Sequence, residues 1–148
     1  MVSIQYVSDL HLEFRGNKYK NLFRIVGDIL CLAGDICVCA NPEDFEILVN
    51  FLNYICPQYK HVIHITGNHE YYTAGVKKIT ENNTMEAVDK LLKRLEGLIP
   101  NYHFLNCDLF ELKINKKKYI FCGATLWANV SEKDKKVVES YMNDYKNI

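Results

Sequence analysis

Ile29-Leu30-Cys31-Leu32-Ala33-Gly34-Asp35 is a short, unbroken apolar run that stops at a glycine and a carboxylate. Continuous apolar runs of this length are what strands buried on both faces of a parallel sheet look like. Two other segments repeat the pattern. Ser3 to Val7 ends at Ser8-Asp9-Leu10-His11, and His61 to Thr66 ends at Gly67-Asn68-His69-Glu70. Amphipathic stretches follow. A helix start at Asn41-Pro42-Glu43-Asp44, with Pro just inside, leads to Phe45, Leu48, Val49 and Leu52. Thr84 to Leu98 carries Met85, Val88, Leu91, Leu92 and Leu95 on one face. Strands alternating with helices predict an α/β fold, a largely parallel sheet covered by helices. Further on, Leu109 to Ile114 and Tyr119 to Gly123 predict a hairpin across Asn115 to Lys118. Ser131, with Asp134 three residues later, predicts the capping of a last helix that presents Val137, Val138, Tyr141, Met142 and Tyr145.

Composition narrows the class. The 148 residues are 49% hydrophobic, with no linker and no repeat, which predicts one domain over residues 1–148. Eighteen basic residues balance eighteen acidic ones, so a broadly basic nucleic-acid surface is excluded. No apolar run approaches the roughly 20 residues of a membrane span. The start Met1-Val-Ser carries no charged segment ahead of a long apolar one, as a secretory leader would. Cysteines 31, 37, 39, 56, 107 and 122 are therefore expected to be reduced thiols, and the location cytoplasmic.

The chemistry gathers where the apolar runs stop. Open parallel sheets bind ligands at the carboxyl ends of their strands. Those ends carry Asp9 and His11, then Asp35, then Asn68 and His69. Carboxylate, imidazole and amide oxygen are ligands for divalent metals. Asp9 and His11 lie two apart, so on extended backbone both side chains face one way and suit one ion. Asp35 has two oxygens and could bridge two ions, while Asn68 could ligate the second without adding charge. Two divalent cations against two carboxylates leave the site net positive, which favours a phosphate anion and acidifies a bridging water. Glycines 34 and 67 let the chain turn tightly so that the next side chain enters the site. Alone, an Asp-x-His pair or a Gly-Asp turn is an ordinary loop feature. Three such clusters ending three successive strands are not.

Ser8-Asp9-Leu10-His11-Leu12-Glu13, Ala33-Gly34-Asp35-Ile36 and Thr66-Gly67-Asn68-His69-Glu70-Tyr71-Tyr72 resemble the calcineurin-like metallophosphoesterase superfamily. Gly123-Ala124-Thr125-Leu126-Trp127 and Met142-Asn143-Asp144-Tyr145-Lys146 look like its later segments. The resemblance implies a β-sandwich of two mixed sheets flanked by helices. It implies that Asp9, His11 and Asp35 hold one metal and that Asp35 and Asn68 hold another. It also implies that His69 touches the phosphate and assists the leaving oxygen. The implied reaction is hydrolysis of a phosphomonoester or phosphodiester by a hydroxide bridging two divalent ions, of Mn, Fe or Zn.

Two departures qualify this. Protein phosphatases of the superfamily follow their second block with Asp-Arg, where Val38 and Cys39 stand here, so His69 is expected to lack a carboxylate partner. The family completes its metal shell with a later His and a Gly-His-x-His block, and this sequence has no His beyond His103. His61, His64 and His103 are read as structural. The fold therefore looks truncated, with ligands for about one ion in this chain and an apolar face left bare for self-association. A non-catalytic derivative serving as a binding module is the competing reading, and ligands supplied by another chain a third. Lys116 to Lys118 are expected to form a solvated tip, and Tyr71, Tyr72 and Trp127 either to wall the site or to fill core. Glu70 would orient a ligand or favour a helix start.

Overall fold

Four strands, β1 (Ile4–Val7), β2 (Ile29–Ala33), β3 (His61–Ile65) and β4 (Tyr102–Phe104), lie side by side in that order, each pair parallel. The computed structural model describes residues 2–76 and 80–148. β4 was not foreseen as a strand, because three residues are too few for a periodicity to declare itself. Its pairing of Val62 with Tyr102 and His64 with Phe104 extends the parallel sheet.

One face of the sheet is covered by α1 (Pro42–Ile55) and α2 (Met85–Leu95). α1 starts where Asn41 Oδ1 accepts the Glu43 N–H at 3.1 Å, with Pro42 at its first position. Leu48, Phe51, Leu52 and Ile55 are buried at helical spacing. On α2 the buried residues are Val88, Leu92 and Leu95. Thr84 precedes that helix as its cap, accepting from the Ala87 N–H at 3.2 Å, and the helix stops at Leu95, short of the expected Leu98. These side chains meet Leu30, Leu32, Val62 and Tyr102 in the main core.

The opposite face is covered by a hairpin of β5 (Asp108–Ile114) and β6 (Lys117–Gly123), a separate antiparallel sheet. Its loop is shorter than the four residues expected. Asn115 and Lys116 alone make the turn, with φ of 49° and 65°, which is the left-handed pair that a two-residue hairpin uses. Lys117 and Lys118 thus belong to a strand. This second core is small: among the described residues its buried members are Ile29, Ile63 and Leu105. Ile4 and Tyr6 on β1 and Leu109 and Ile120 on the hairpin stay exposed.

The last helix departs from expectation. Ser131 Oγ does meet Asp134, at 2.6 Å, but a shorter α3 (Lys135–Tyr141) starts only after Asp134, whose side chain makes no capping bond to it. Met142 is extended and separates α3 from α4 (Asp144–Asn147). Val137, Tyr141, Met142 and Tyr145 are exposed, so the anticipated apolar face packs little. No helix among the described residues is long and apolar enough to cross a membrane. All six cysteines are free, and burial pushes the Cys56 thiol up to about 12.

Candidate metal centre

Parallel pairing puts Val7, Leu32 and His64 level with one another. The segments that follow them therefore emerge along one edge of the sheet. Backbone bonds continue the alignment past the strands: Asp9 N–H donates to Gly34 O, His11 N–H to Asp35 O and Leu12 N–H to Ile36 O, at 2.9–3.1 Å.

Asp9, His11 and Asp35 converge there, with one ligand atom from each lying within 4.8 Å of the others. All three adopt left-handed backbone, with φ of 55°, 46° and 55°. Left-handed backbone is uncommon outside glycine and costs free energy, of order 1–3 kcal/mol at a strained site. It recurs at all three candidate ligands, and also at Asn21, Cys107, Asn115 and Lys116 elsewhere in the chain. The edge is also open, with Asp9 exposed and His11 and Asp35 half-buried. Two oxygen donors and one imidazole fit a divalent transition metal.

Two glycines make the approach possible. Gly34 has φ of +86°, and a Cβ there would come within 2.7 Å of the Gly67 nitrogen. A Cβ on Gly67 would collide with the Asp35 carboxylate. The loops after β2 and β3 thus pack backbone to backbone.

Glu70 ties those loops together. It is fully buried, and its carboxylate accepts the N–H groups of Asp35 at 3.1 Å, Ile36 at 2.8 Å and Gly67 at 2.8 Å. Burial alone would raise its pKa. The adjacent His64 and the Ile36 and Gly67 N–H groups outweigh burial and hold it below the ordinary value. His64 Nε2 lies 3.7 Å from Glu70 Oε1, too far for a hydrogen bond, while His64 Nδ1 meets the Tyr102 hydroxyl at 2.8 Å. Glu70 is thus a clamp on the Asp35 loop, orienting a candidate ligand through its backbone, and it also lies in the first turn of the 3-10 segment His69–Tyr71.

The expectation that His69 lacks a carboxylate partner fails. Glu13, whose side chain is 6% exposed, places Oε1 3.2 Å from His69 Nδ1 and 3.1 Å from His11 Nδ1. Val38 and Cys39 stand after the second block, and the 3-10 turn Leu12–Phe14 delivers the acid from another side. Glu13 was legible only as a member of the first block, since nothing local announces a partner 56 residues away. His11 and His69 sit edge to face with ring centroids 4.4 Å apart, and His69 stacks on Tyr72 at 4.2 Å. His11, Glu13 and His69 also form a second trio with ligand atoms within 4.8 Å.

Asn68 is joined to the cluster by the next peptide, since the His69 N–H donates to Asp35 Oδ1 at 3.0 Å. Its own amide nitrogen donates to Asp144 at 2.7 Å and to the Tyr72 hydroxyl at 3.0 Å. Tyr71 and Tyr72 are buried, and Trp127 stands 6.1 Å from the Tyr71 ring. His61 and His103 lie elsewhere, 3.0 Å apart, with the His103 ring stacked on Phe110, and take no part.

The sequence pattern of calcineurin-like phosphoesterases matches residues 3–125. A protein of Acanthamoeba polyphaga mimivirus, described as uncharacterized protein L509, is 32% identical over 155 residues, covering 96% of this chain and 50% of that protein. The chain thus spans about half the length of this curated relative. With a parallel sheet under helices and a polar cluster at its carboxyl edge, and with that match over most of its length, the chain belongs to the calcineurin-like phosphoesterase family.

Proposed function

We infer that this domain is a metal-dependent phosphoesterase, hydrolysing a phosphomonoester or phosphodiester at the edge formed by Asp9, His11, Asp35, Asn68 and His69. One observation carries the reading: three candidate ligands, from two strand ends, all hold left-handed backbone and meet within 4.8 Å. Asp9, His11 and Asp35 would hold one divalent ion, of which Mn, Fe and Zn suit the donor set, and Asp35 and Asn68 a second. Bound there, such ions supply positive charge for phosphoryl oxygens and acidify water. His11 turns Nδ1 to Glu13 and so offers Nε2 to the ion. His69 also turns Nδ1 to Glu13, which leaves Nε2 to carry a proton to the departing oxygen. Tyr72, stacked on the His69 ring, limits its rotation. Six free thiols suit a reducing, cytoplasmic setting, and the exposed Ile4, Tyr6 and Ile120 suit a homo-oligomer. Light scattering over a range of concentrations should then show association, and a monomer throughout excludes it.

Dialysis against Mn²⁺ followed by elemental analysis tests the metal reading. The expected result is one tightly held ion per chain, because Asp9, His11 and Asp35 outnumber Asp35 and Asn68 as ligands. Two tight ions would point to ligands from a second chain, and none would overturn the reading in favour of a non-catalytic binding module. These 148 residues alone should turn over little. A longer protein that supplies further histidines should hydrolyse aryl phosphate esters, and His69→Ala should slow it by about 10²–10⁴-fold. The loss should shrink for good leaving groups. Equal slowing of good and poor leaving groups would remove His69 from the acid role.

A further inference from the structure

The Asn68 carboxamide sits in a closed ring of hydrogen bonds. Its Nδ2 donates to Asp144 Oδ1 at 2.7 Å and to the Tyr72 hydroxyl at 3.0 Å, and that hydroxyl donates to the same Asp144 oxygen at 2.6 Å. An asparagine amide has two N–H donors on one arm and one acceptor oxygen on the other. Asp144 and Tyr72 both accept from the nitrogen arm. Among the described residues, no hydrogen bond reaches Asn68 Oδ1.

The ring is anchored on both sides. Tyr72 is buried, and its aromatic plane lies against the His69 imidazole at an interplanar angle of 24°. Asp144 opens α4, whose end is fastened by Thr73: the Thr73 N–H and hydroxyl both donate to Asn147 O, at 2.6 and 2.9 Å. The acceptor therefore arrives from 76 residues away on a segment strapped down beside the loop it serves.

The geometry points to Asp144, with Tyr72, as a positioning residue that locks the Asn68 amide with its oxygen free to ligate a divalent cation. This rests on the metal reading above. The physical need is plain, because the two orientations of an amide differ little in shape, yet only the oxygen can bind a cation. A carboxylate facing one arm selects the other by accepting what only nitrogen can give. Neither Asp144 nor Tyr72 touches the ion in this scheme, and neither belongs to the trios within 4.8 Å.

The test has two arms on the 148-residue protein. In the first, the metal-free chain is observed by ¹⁵N-edited NMR, with the Asn68 side-chain amide assigned by its loss in Asn68→Asp. The wild-type pair should be displaced from the free-amide position and protected from solvent exchange. Asp144→Ala should return it there, Tyr72→Phe should do so in part, and Asp144→Asn, which keeps an acceptor oxygen, should restore the protection. In the second, Mn²⁺ is titrated and the free ion followed by EPR. Asp144→Ala should weaken the weaker binding step by about 10–100-fold, the usual effect of losing a partner that orients a ligand. The tighter step should not move, and Asp144→Asn should bind nearly as wild type. Dispersed sheet resonances establish that each variant is folded.

A wild-type amide that is unprotected, or that Asp144→Ala leaves unchanged, overturns the lock. So does Asp144→Asn binding Mn²⁺ as poorly as Asp144→Ala, which would make charge the operative property. Mn²⁺ binding that Asp144→Ala leaves intact overturns the lock alone, whereas a wild-type chain that binds no Mn²⁺ overturns the metal reading on which it rests.

Discussion

At the carboxyl edge of the sheet His11 and His69 lie edge to face, and the Glu13 carboxylate reaches both rings. On the hairpin side His61 Nδ1 meets His103 Nε2 at 3.0 Å, with the ring centroids 5.2 Å apart against 4.4 Å in the first pair, and Phe110 lies against both rings. One pair lies among acids on left-handed backbone, the other against an aromatic ring. Burial lowers the pKa of both His61 and His103, so the packed pair favours the neutral form. Acids beside the other pair attract cations. An imidazole's work is set by its neighbours, and two histidines in contact do not by themselves make a site.

The sharpest way to break the contrast is Asp35→Ala. It should abolish Mn²⁺ binding in the dialysed chain by elemental analysis, because Asp35 is shared by both candidate positions. His103→Phe should leave the metal content unchanged. Metal retained by Asp35→Ala would end the distinction between the two pairs.

Glu70→Gln probes the scaffold beneath the first pair. Its amide would set a donor against the N–H groups of Asp35, Ile36 and Gly67 that the carboxylate now satisfies. Leaving a buried donor unsatisfied costs about 1–3 kcal/mol, so a loss near 3 kcal/mol is expected in urea unfolding. A loss below about 1 kcal/mol would mean that other contacts hold the Asp35 loop.

Smaller again is Glu13→Gln, which keeps the shape but not the charge that aligns His11 and His69. Mn²⁺ affinity should fall by about tenfold with little change in stability, as for other partners that orient a ligating histidine. Unchanged affinity would show that His11 orients itself.

The smallest effect belongs to the packed pair and is read by pH. Their folded pKa values lie below the ordinary 6.5, so the unfolded chain binds more protons in mild acid. Their contribution to stability should be complete above about pH 6.5 and should decline as pH falls below it. His61→Phe/His103→Phe should flatten that part of the urea-midpoint profile. An identical profile in the double variant would assign the decline to other groups.

Much of this molecule was legible residue by residue. The segments expected to be strands became β1, β2 and β3 within a residue or so; β2 and β3 are largely buried as expected, whereas β1, at the sheet edge, has no buried residue. Asn41-Pro42 and the spacing of Leu48 and Leu52 defined α1 for local reasons. Asp9, His11, Asp35, Asn68 and His69 stood out because each follows directly on such a run. β4 escaped notice because its three residues gain their strand character from β3 alone. The last helix was overread, since Val137, Tyr141 and Tyr145 have helical spacing but no surface to meet.

What the amino-acid order determined by itself is the set of elements and the residue types at their ends, since period, caps and turns act over a few neighbours. Tertiary structure decided which side chains are partners. Glu13 reaches His69 over 56 residues, Glu70 reaches Asp35 over 35, and Asp144 reaches Asn68 over 76. Those distances along the chain are closed by parallel register, which levels the strand ends, and by packing of the loops that follow. No local pattern records them, because a hydrogen bond between distant segments constrains only where the backbone brings them, not the residues in between.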